Sequence, residues 1–412
     1  MPLLTSLLCL IVSARLLGGL FAKYKQPSIV GEMIAGVLLG PAVFNVVHAT
    51  PPLQGISDLA VFLVVLSAGL EMNFKDVIKA MSGKGLVVAL LGFVIPLSAG
   101  LGIGVLFKLD VTRTVFLGLC ISITALPVAV RILDSFKMLN SEIARYAVVT
   151  AIINDVAALL VLGVILGLPR AGSALDVAKG VLFTGGKLVI FATLVWAFGS
   201  LLAWVERKGI AVHRVPERLV AIFGAEALFG IVVLLVLVFA SVSEMLGFHF
   251  VIGAFFGALL INKDLFLASR YSELEKTLNS VTGGFLAPVF FAYLGLEFNI
   301  TKMNSPEFVI AVFAVSVGAK ILAGWLGGRL IRLSNVDSLG IGIILNGRGV
   351  MELVIASIAF QHGLIGEGLF STLILMGVVT TILTPVLFRK FVLPHVAPVN
   401  GTAQAQAATP LG

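Results

Sequence analysis

Charge is scarce in this chain. Only 12% of its 412 residues are Asp, Glu, Lys or Arg, against about 25% in a soluble domain. With 59% hydrophobic residues and a mean hydropathy of +1.12, that scarcity excludes a soluble globular fold and predicts a chain that crosses a membrane many times. Cysteine is nearly absent: Cys9 and Cys120 both lie in apolar runs, which excludes a disulfide framework and a thiolate metal centre. None of the five histidines is expected at mid-depth with a partner, so a histidine proton relay is not indicated. A basic leader and a small-residue cleavage site are also missing. The first apolar run, followed by Lys23 and Lys25, therefore reads as a retained span. No cofactor is expected. An intramembrane enzyme is not expected, since no second carboxylate or Ser/Lys pair is expected at matching depth.

What the chain has in abundance is long apolar runs. They predict an all-α integral membrane protein with 13 transmembrane helices, near 3–22, 28–47, 56–73, 84–107, 113–133, 142–167, 177–205, 218–246, 248–262, 281–299, 306–333, 337–361 and 366–390. A polar link, Lys263–Ser280, is expected as an amphipathic helix on the surface, and 391–412 as a disordered cytoplasmic tail. Threading 13 spans places 19 Lys and Arg on one side and five on the other, with Arg15, Lys187, Lys320 and Arg348 inside spans. Positive charge accumulates on the cytoplasmic side, so the N-terminus is expected outside and the C-terminus in the cytoplasm. The formal net charge of +7 is then a matter of topology, and nucleic acid is not an expected partner.

The chain repeats itself. Gly69-Leu70-Glu71-Met72-Asn73-Phe74 returns as Gly295-Leu296-Glu297-Phe298-Asn299-Ile300, Ile29-Val30-Gly31 as Val251-Ile252-Gly253, and Asp110-Val111 as Asn335-Val336, at offsets of 226, 222 and 225. Span n maps onto span n + 7, an odd shift that reverses orientation. Two inverted six-helix repeats, bridged by the seventh span, follow. That architecture, with broken helices near the midplane, belongs to alternating-access transporters. The sites of the breaks are legible. Pro127 in span five interrupts Ser122-Ile123-Thr124-Ala125-Leu126, and its repeat mate in span twelve is Asn346-Gly347-Arg348-Gly349. Pro127 alone could be a simple kink; matched with Gly347 and Gly349 it predicts two crossing broken helices with loosened carbonyls near Ala125.

Asp155 lies in mid-span, 13 residues into 142–167, where a charged group costs about 2.5–3.5 kcal/mol on insertion scales. A carboxylate in low dielectric holds its proton more tightly than in water, and its oxygens are hard ligands for K⁺ or Na⁺. One group that takes either a proton or an alkali cation is the minimal part of an exchanger. Asn154 is a neutral ligand or a packing amide. Lys320, at the centre of span eleven, needs a carboxylate or carbonyl partner, or must lose its proton. Arg348 and Glu352 share a helical face, which leaves a structural ion pair open. Glu32 and Glu226 could snorkel or serve ion passage, and Glu71 and Glu297 read as caps or gate contacts. The rows Gly36/Gly40 and Gly253/Gly257 predict close helix packing, within the chain or at a subunit interface.

Together these residues resemble the monovalent cation:proton antiporter family 2, which includes bacterial sodium/proton and potassium/proton antiporters and plant CHX-type exchangers. The matching stretches are Gln26–Pro41, Gly69–Phe74, Ser122–Leu133, Ala151–Leu162 and Asn346–Leu353, and the resemblance runs over about 10–390. It implies a homodimer with a scaffold of spans 1–3 and 8–10 (1–80 and 218–304), a linker helix (171–217) and a mobile core of spans 4–6 and 11–13 (81–170 and 305–390). The core would move as a body and expose Asp155 to either side in turn. Two departures stand out. Electrogenic relatives carry two adjacent aspartates where this chain has Asn154-Asp155, so Lys320 must find another partner, Asp155 being a candidate. The familiar RGE arrangement is Arg348-Gly349-Val350-Met351-Glu352 here, which tilts the reading toward potassium or broad alkali-cation exchange. Many potassium-handling relatives append a cytoplasmic regulatory domain, and this chain is expected to lack that control or to have been truncated.

The sequence thus predicts an electroneutral antiporter in a bacterial plasma (inner) membrane, exchanging K⁺ or Na⁺ for H⁺, with Li⁺ a further candidate and membrane lipid as surroundings. Asp155 would be the shared proton and metal site. Asn154, Ser122 or Thr124 and the carbonyl near Ala125 would complete the shell, while Lys320, Arg348 and Glu352 tune the field. The rivals are a cation-coupled symporter of an organic anion and a channel-like or sensory protein on the same scaffold.

Overall fold

The computed structural model describes residues 1–24, 26–72, 83–167, 174–208, 220, 222, 224, 226–261 and 268–395. Asn73 and Phe74 of the first repeat motif, the start of the predicted polar link and the tail beyond 395 lie outside the described residues, as does the Glu226 side chain. Among the described residues the elements are helices: α1 Leu3–Lys23, α2 Ser28–Leu39, α3 Pro51–Leu70, α4 Lys84–Leu106, α5 Val111–Ser122, α6 Leu126–Ser135, α7 Glu142–Leu166 and α8 Ala174–Arg207. There follow α9 Glu226–Met245, α10 Phe250–Leu259, α11 Ala268–Val281, α12 Ala287–Leu296, α13 Pro306–Leu330, α14 Asn335–Ile344, α15 Val350–Gln361 and α16 Glu367–Phe391. Ten spans among them are long and apolar enough to cross a bilayer, with α5–α6 and α11–α12 each counted as one. Polar residues start several of these helices. Asp110, Ser141, Ser305 and Ser334 each accept an amide N–H from the first turn of α5, α7, α13 and α14, satisfying one of the donors a helix start leaves orphaned.

Some helices are shorter than the apolar runs. α2 stops at Leu39 because Gly40 precedes Pro41 and is extended (φ −77°, ψ −177°), the conformation a following proline favours. α10 spans 10 residues. The predicted surface helix also needs correction. From Ala268 onward α11 runs without interruption through a π-turn at Thr282–Leu286 into α12. Gly283 and Gly284 occupy that turn, Arg15 on α1 donates to the Gly283 carbonyl at 3.1 Å, and Tyr271 donates to the Leu70 carbonyl at 3.0 Å. The helix is therefore held against α1 and α3. Residues 391–395, placed in the tail from sequence, complete α16 and a short 3-10 turn.

Two sets of helices pack among themselves. α1, α2, α3, α10 and α12 form one, with α9 on α10; α4, α5, α7, α13, α14, α15 and α16 form the other. α3–α15 and α7–α10 contacts join them. Within the first set the glycine rows admit backbone contact. A Cβ on Gly36 would lie 1.9 Å from the Ala292 carbonyl oxygen, and one on Gly253 2.2 Å from that of Phe239. Gly40 and Gly257 likewise face Leu296 and Phe239. These rows pack inside the chain, so the subunit-interface alternative fails: a carbonyl already fills the notch. Overpacking a close contact costs about 1–3 kcal/mol or more. Gly36→Ala should thus lower the melting temperature in detergent by several degrees. Gly19→Ala, with nothing within 4 Å of the new carbon, should leave it unchanged or slightly raised.

Candidate ion site at the helix crossing

α5 ends at Ser122 and α6 begins at Leu126; α14 ends at Ile344 and α15 begins at Val350. The extended links between them cross. The Ala125 N–H donates to the Gly347 carbonyl at 3.0 Å, and the Thr124 hydroxyl donates to the Leu345 carbonyl at 3.1 Å. Close approach requires small residues, since a Cβ on Gly349 would sit 2.6 Å from that of Ala125. The proline has a different place from the one expected. Pro127 occupies the first turn of α6, where its missing N–H costs nothing and its fixed φ suits the helix. The interruption lies just before it, at Ile123–Ala125. Pro127 starts the second half-helix; it does not break a helical hydrogen bond.

Two buried cations neutralise the end of α5. A helix leaves its last four carbonyls without partners and concentrates partial negative charge there. Arg348 takes three of them, donating to Cys120 at 2.6 Å, Ile121 at 2.9 Å and Ile123 at 2.8 Å, and reaches Ser316 Oγ at 2.9 Å. Lys320 takes the fourth, Ser122, and donates to Thr124 Oγ1 at 2.7 Å and to the Gly92 carbonyl at 3.2 Å. Arg348 Nε stands 3.5 Å from Glu352 Oε2, a loose ion contact. The Arg348 backbone is pinned as well, its N–H donating to Thr381 Oγ1 and its carbonyl accepting from that hydroxyl.

No direct ion pair or hydrogen bond joins Lys320 to Asp155 among the described residues, although the two charges interact through space. The reason is that the α5 carbonyls and Thr124 surround the ammonium. Asp155 is 1% exposed, and its Oδ1 has no hydrogen-bond donor among the described residues. It lies on α7, which packs against α5, α6 and α14. Asn154 is fully buried and directs Nδ2 toward Ser122 O (3.3 Å), Gly92 O (3.5 Å) and Thr124 Oγ1 (3.5 Å), the acceptors Lys320 already uses, while its Oδ1 has no donor. Two donors thus crowd one set of acceptors. The Ser122 hydroxyl donates to its own helix, to the Leu119 carbonyl at 2.7 Å.

The structure thus gathers Ser122, Thr124, Asn154 and Lys320 at one node, and Ala125, Gly347 and Gly349 at the crossing. Arg348 with Glu352 closes the end of α5, and Asp155 lies next to Asn154 on α7. Glu71 and Glu297 occupy C-cap positions of α3 and α12. Glu32 is 5% exposed and does not snorkel. Sequence reasoning missed Gly92, Ser316 and Thr381. Ser316 had a signal, lying four residues before Lys320 on α13. Thr381 belongs to a polar row in an otherwise apolar span, and Gly92 contributes only its backbone. Asn346 was named as a break residue only; its Nδ2 donates to the Gly342 carbonyl and its Oδ1 is a further buried oxygen without a donor.

A bundle with two interrupted helices crossing beside a buried carboxylate has the architecture of secondary active transporters. The transmembrane sodium/hydrogen exchanger profile matches residues 7–391, so the chain belongs to that family. Similar proteins include cation/H(+) antiporter 18 of Arabidopsis thaliana, 28% identical over an alignment of 403 positions that covers 92% of this chain and 48% of the relative. The probable Na(+)/H(+) antiporter GerT of Bacillus cereus is 25% identical over 93% of this chain and 98% of its own. The Na(+)/H(+)-K(+) antiporter GerN of the same organism is 25% identical over 92% and 94%. The chain thus spans about half the length of the plant relative and nearly all of the two bacterial ones. The fold is similar to that of the sodium proton antiporter MjNhaP1 from Methanocaldococcus jannaschii, with a TM-score of 0.65 at 19% identity over 95% of this chain and 97% of that one.

Proposed function

We propose that the chain exchanges a monovalent alkali cation, K⁺ or Na⁺, for a proton, one for one and without net charge, with Asp155 binding either in turn. The observation that carries this reading is a buried carboxylate oxygen without a donor, set beside a crossing of broken helices in a sodium/hydrogen exchanger chain. Asn154, Ser122 or Thr124 and the carbonyls near Ala125 complete the surroundings of the cation once Lys320 yields the Ser122 carbonyl and Thr124 Oγ1 that it holds here. Asn154 in place of a second aspartate leaves one titrating carboxylate at the node, which favours an electroneutral cycle. The names of GerT and GerN favour the same chemistry.

The core, helices α4–α7 and α13–α16, moves against a scaffold of α1–α3 and α9–α12 to expose Asp155 on alternate sides; the packing of the two sets supports that division. Ten long spans become thirteen crossings in two inverted repeats if α2, α10 and the α14–α15 pair also cross, as this reading requires. The protein works as a homodimer in a bacterial inner membrane, N-terminus outside and C-terminus in the cytoplasm. Organic-anion symport is disfavoured because it needs Arg348 or Lys320 to hold the anion, and both cations are engaged by protein oxygens.

The test uses proteoliposomes loaded with a pH dye under an acid-inside gradient. External K⁺ or Na⁺, but not choline, should drive dye alkalinisation at a rate unchanged by a clamped membrane potential. A voltage-dependent rate would put a second titrating group, Lys320, into the cycle. Absence of any cation-driven proton movement would end the exchange reading.

A further inference from the structure

Where the two helix sets meet away from the ion node, a crevice of about 450 Å³ opens, lined by Asp58, Glu244, His249, Gln361 and His362. Contacts between the sets cross it. Gln361 at the end of α15 donates to Asp58 on α3 at 3.2 Å, between residues 303 apart in sequence. The His249 ring, in the turn joining α9 to α10, meets His362 edge-on, with centroids 5.6 Å apart and planes at 67°. Hydrogen bonds fix what each ring carries. His249 Nδ1 accepts the Val251 N–H at 3.4 Å and caps α10, so it bears a lone pair. His362 Nδ1 lies 2.9 Å from the Ile358 carbonyl, which only accepts, so it bears a proton.

We propose that this crevice is a proton-operated latch: Asp58–Gln361 and His249–His362 hold α15 against α3 and the α9–α10 turn, and a proton on His249 releases them. A proton on Nδ1 removes the acceptor that caps α10 and places a positive charge against the His362 ring. Other charges face the site from neighbouring elements. Glu244 comes from α9, Asp58 from α3, and Lys187 from α8, whose ammonium lies 3.4 Å from where a Cβ on Gly247 would sit. From α7 the lining is Ile165 and Leu166, both apolar.

Burial, then the charge of His362, pushes His249 from 6.5 down to about 4. A ring released into water returns toward its ordinary value, so the sign is fixed. The latch keeps full strength above about 6.5 and weakens about tenfold per pH unit as pH falls toward 4. On the orientation proposed above the crevice faces outward, so the signal is external acid. Its effect on ion flux rests on the reading that the α15 set moves during exchange.

Spin labels on the full chain in lipid nanodiscs, at Met245→Cys on the scaffold rim and Leu364→Cys on the core rim with Cys9 and Cys120 replaced, read the gap by pulsed electron resonance. A longer distance should appear on acidification, its ratio to the short one rising roughly fifteenfold between pH 6.5 and 5. Gln361→Leu, which deletes the Asp58 bond, should raise that ratio at every pH. His249→Asn, which keeps an acceptor for Val251, combined with His362→Gln should flatten the pH response. Distances indifferent to pH in both the native and Gln361→Leu backgrounds would overturn the latch, even in a protein that exchanges ions. A pH-dependent gap in a protein that exchanges none would keep the latch and sink the transport reading instead.

Discussion

Asp155→Asn should reduce cation-driven proton movement to the leak of empty liposomes while leaving the protein folded. The substitution keeps size and shape and removes the negative charge and the titrating oxygen. A cation then meets a neutral amide and a proton has nowhere to bind. Stability should be equal to or above that of the native chain, because a buried charge without a donor costs desolvation energy that the amide does not. A second readout separates loss of binding from loss of movement. If Asp155 holds the transported ion, added K⁺ or Na⁺ raises the native melting temperature by an amount that grows as RT ln(1 + [L]/Kd). That shift should vanish in the variant. Competition fixes its pH dependence. A proton on the same oxygens excludes the cation, so the ion-induced shift is largest in alkali and shrinks with acid. Flux that persists in Asp155→Asn would instead indicate a channel-like path that bypasses the carboxylate.

Much of this site was legible because its determinants are local. A polar residue before an apolar run marks a helix start, and Asp110, Ser141, Ser305 and Ser334 act accordingly. The depth of Asp155 follows from counting along one uninterrupted helix. Pairs of interruptions at a common offset pointed to the Ser122–Pro127 and Asn346–Gly349 links. What could not be read was which atoms meet across the crossing. Lys320 and Arg348 are held chiefly by the backbone carbonyls of Gly92, Cys120, Ile121, Ser122 and Ile123, and carbonyls carry no residue signature. For Lys320 the sequence left a carboxylate or a carbonyl partner open, and its direct contacts go to carbonyls because the half-helix end presents partial negative charge. Pro127 misled for a related reason: proline marks a helix start as well as a break, and the rest of the fold decides which. The joined α11–α12 helix was hidden by polar residues that cover α11 without ending it, and the His249–His362 contact by distance along the chain.

The role of Arg348 leads to an ordering of stabilities that sequence alone would have reversed. Were the Arg348–Glu352 pair the main structural element, removing either partner would cost about the same. In the structure the pair is a loose contact of 3.5 Å, whereas the guanidinium satisfies three carbonyls and Ser316. Arg348→Met should therefore cost about 3–5 kcal/mol, the range for leaving a buried partner uncompensated, since it strands Glu352 and uncaps the end of α5 together. Glu352→Gln leaves the guanidinium with all four of those acceptors and should cost far less, about 1 kcal/mol. Arg348→Lys should recover only part of the loss, because one ammonium cannot span acceptors that a planar fork reaches at once. Thermal melts of the three variants in one detergent, with the folded fraction checked by gel filtration, give the order directly. If Glu352→Gln melts as low as Arg348→Met, the ion pair dominates and the capping account is wrong. If the order holds, the first half of the broken helix depends on a cation the protein carries itself. That permanent charge lets the α5 end stay at mid-membrane whether or not a transported ion is bound.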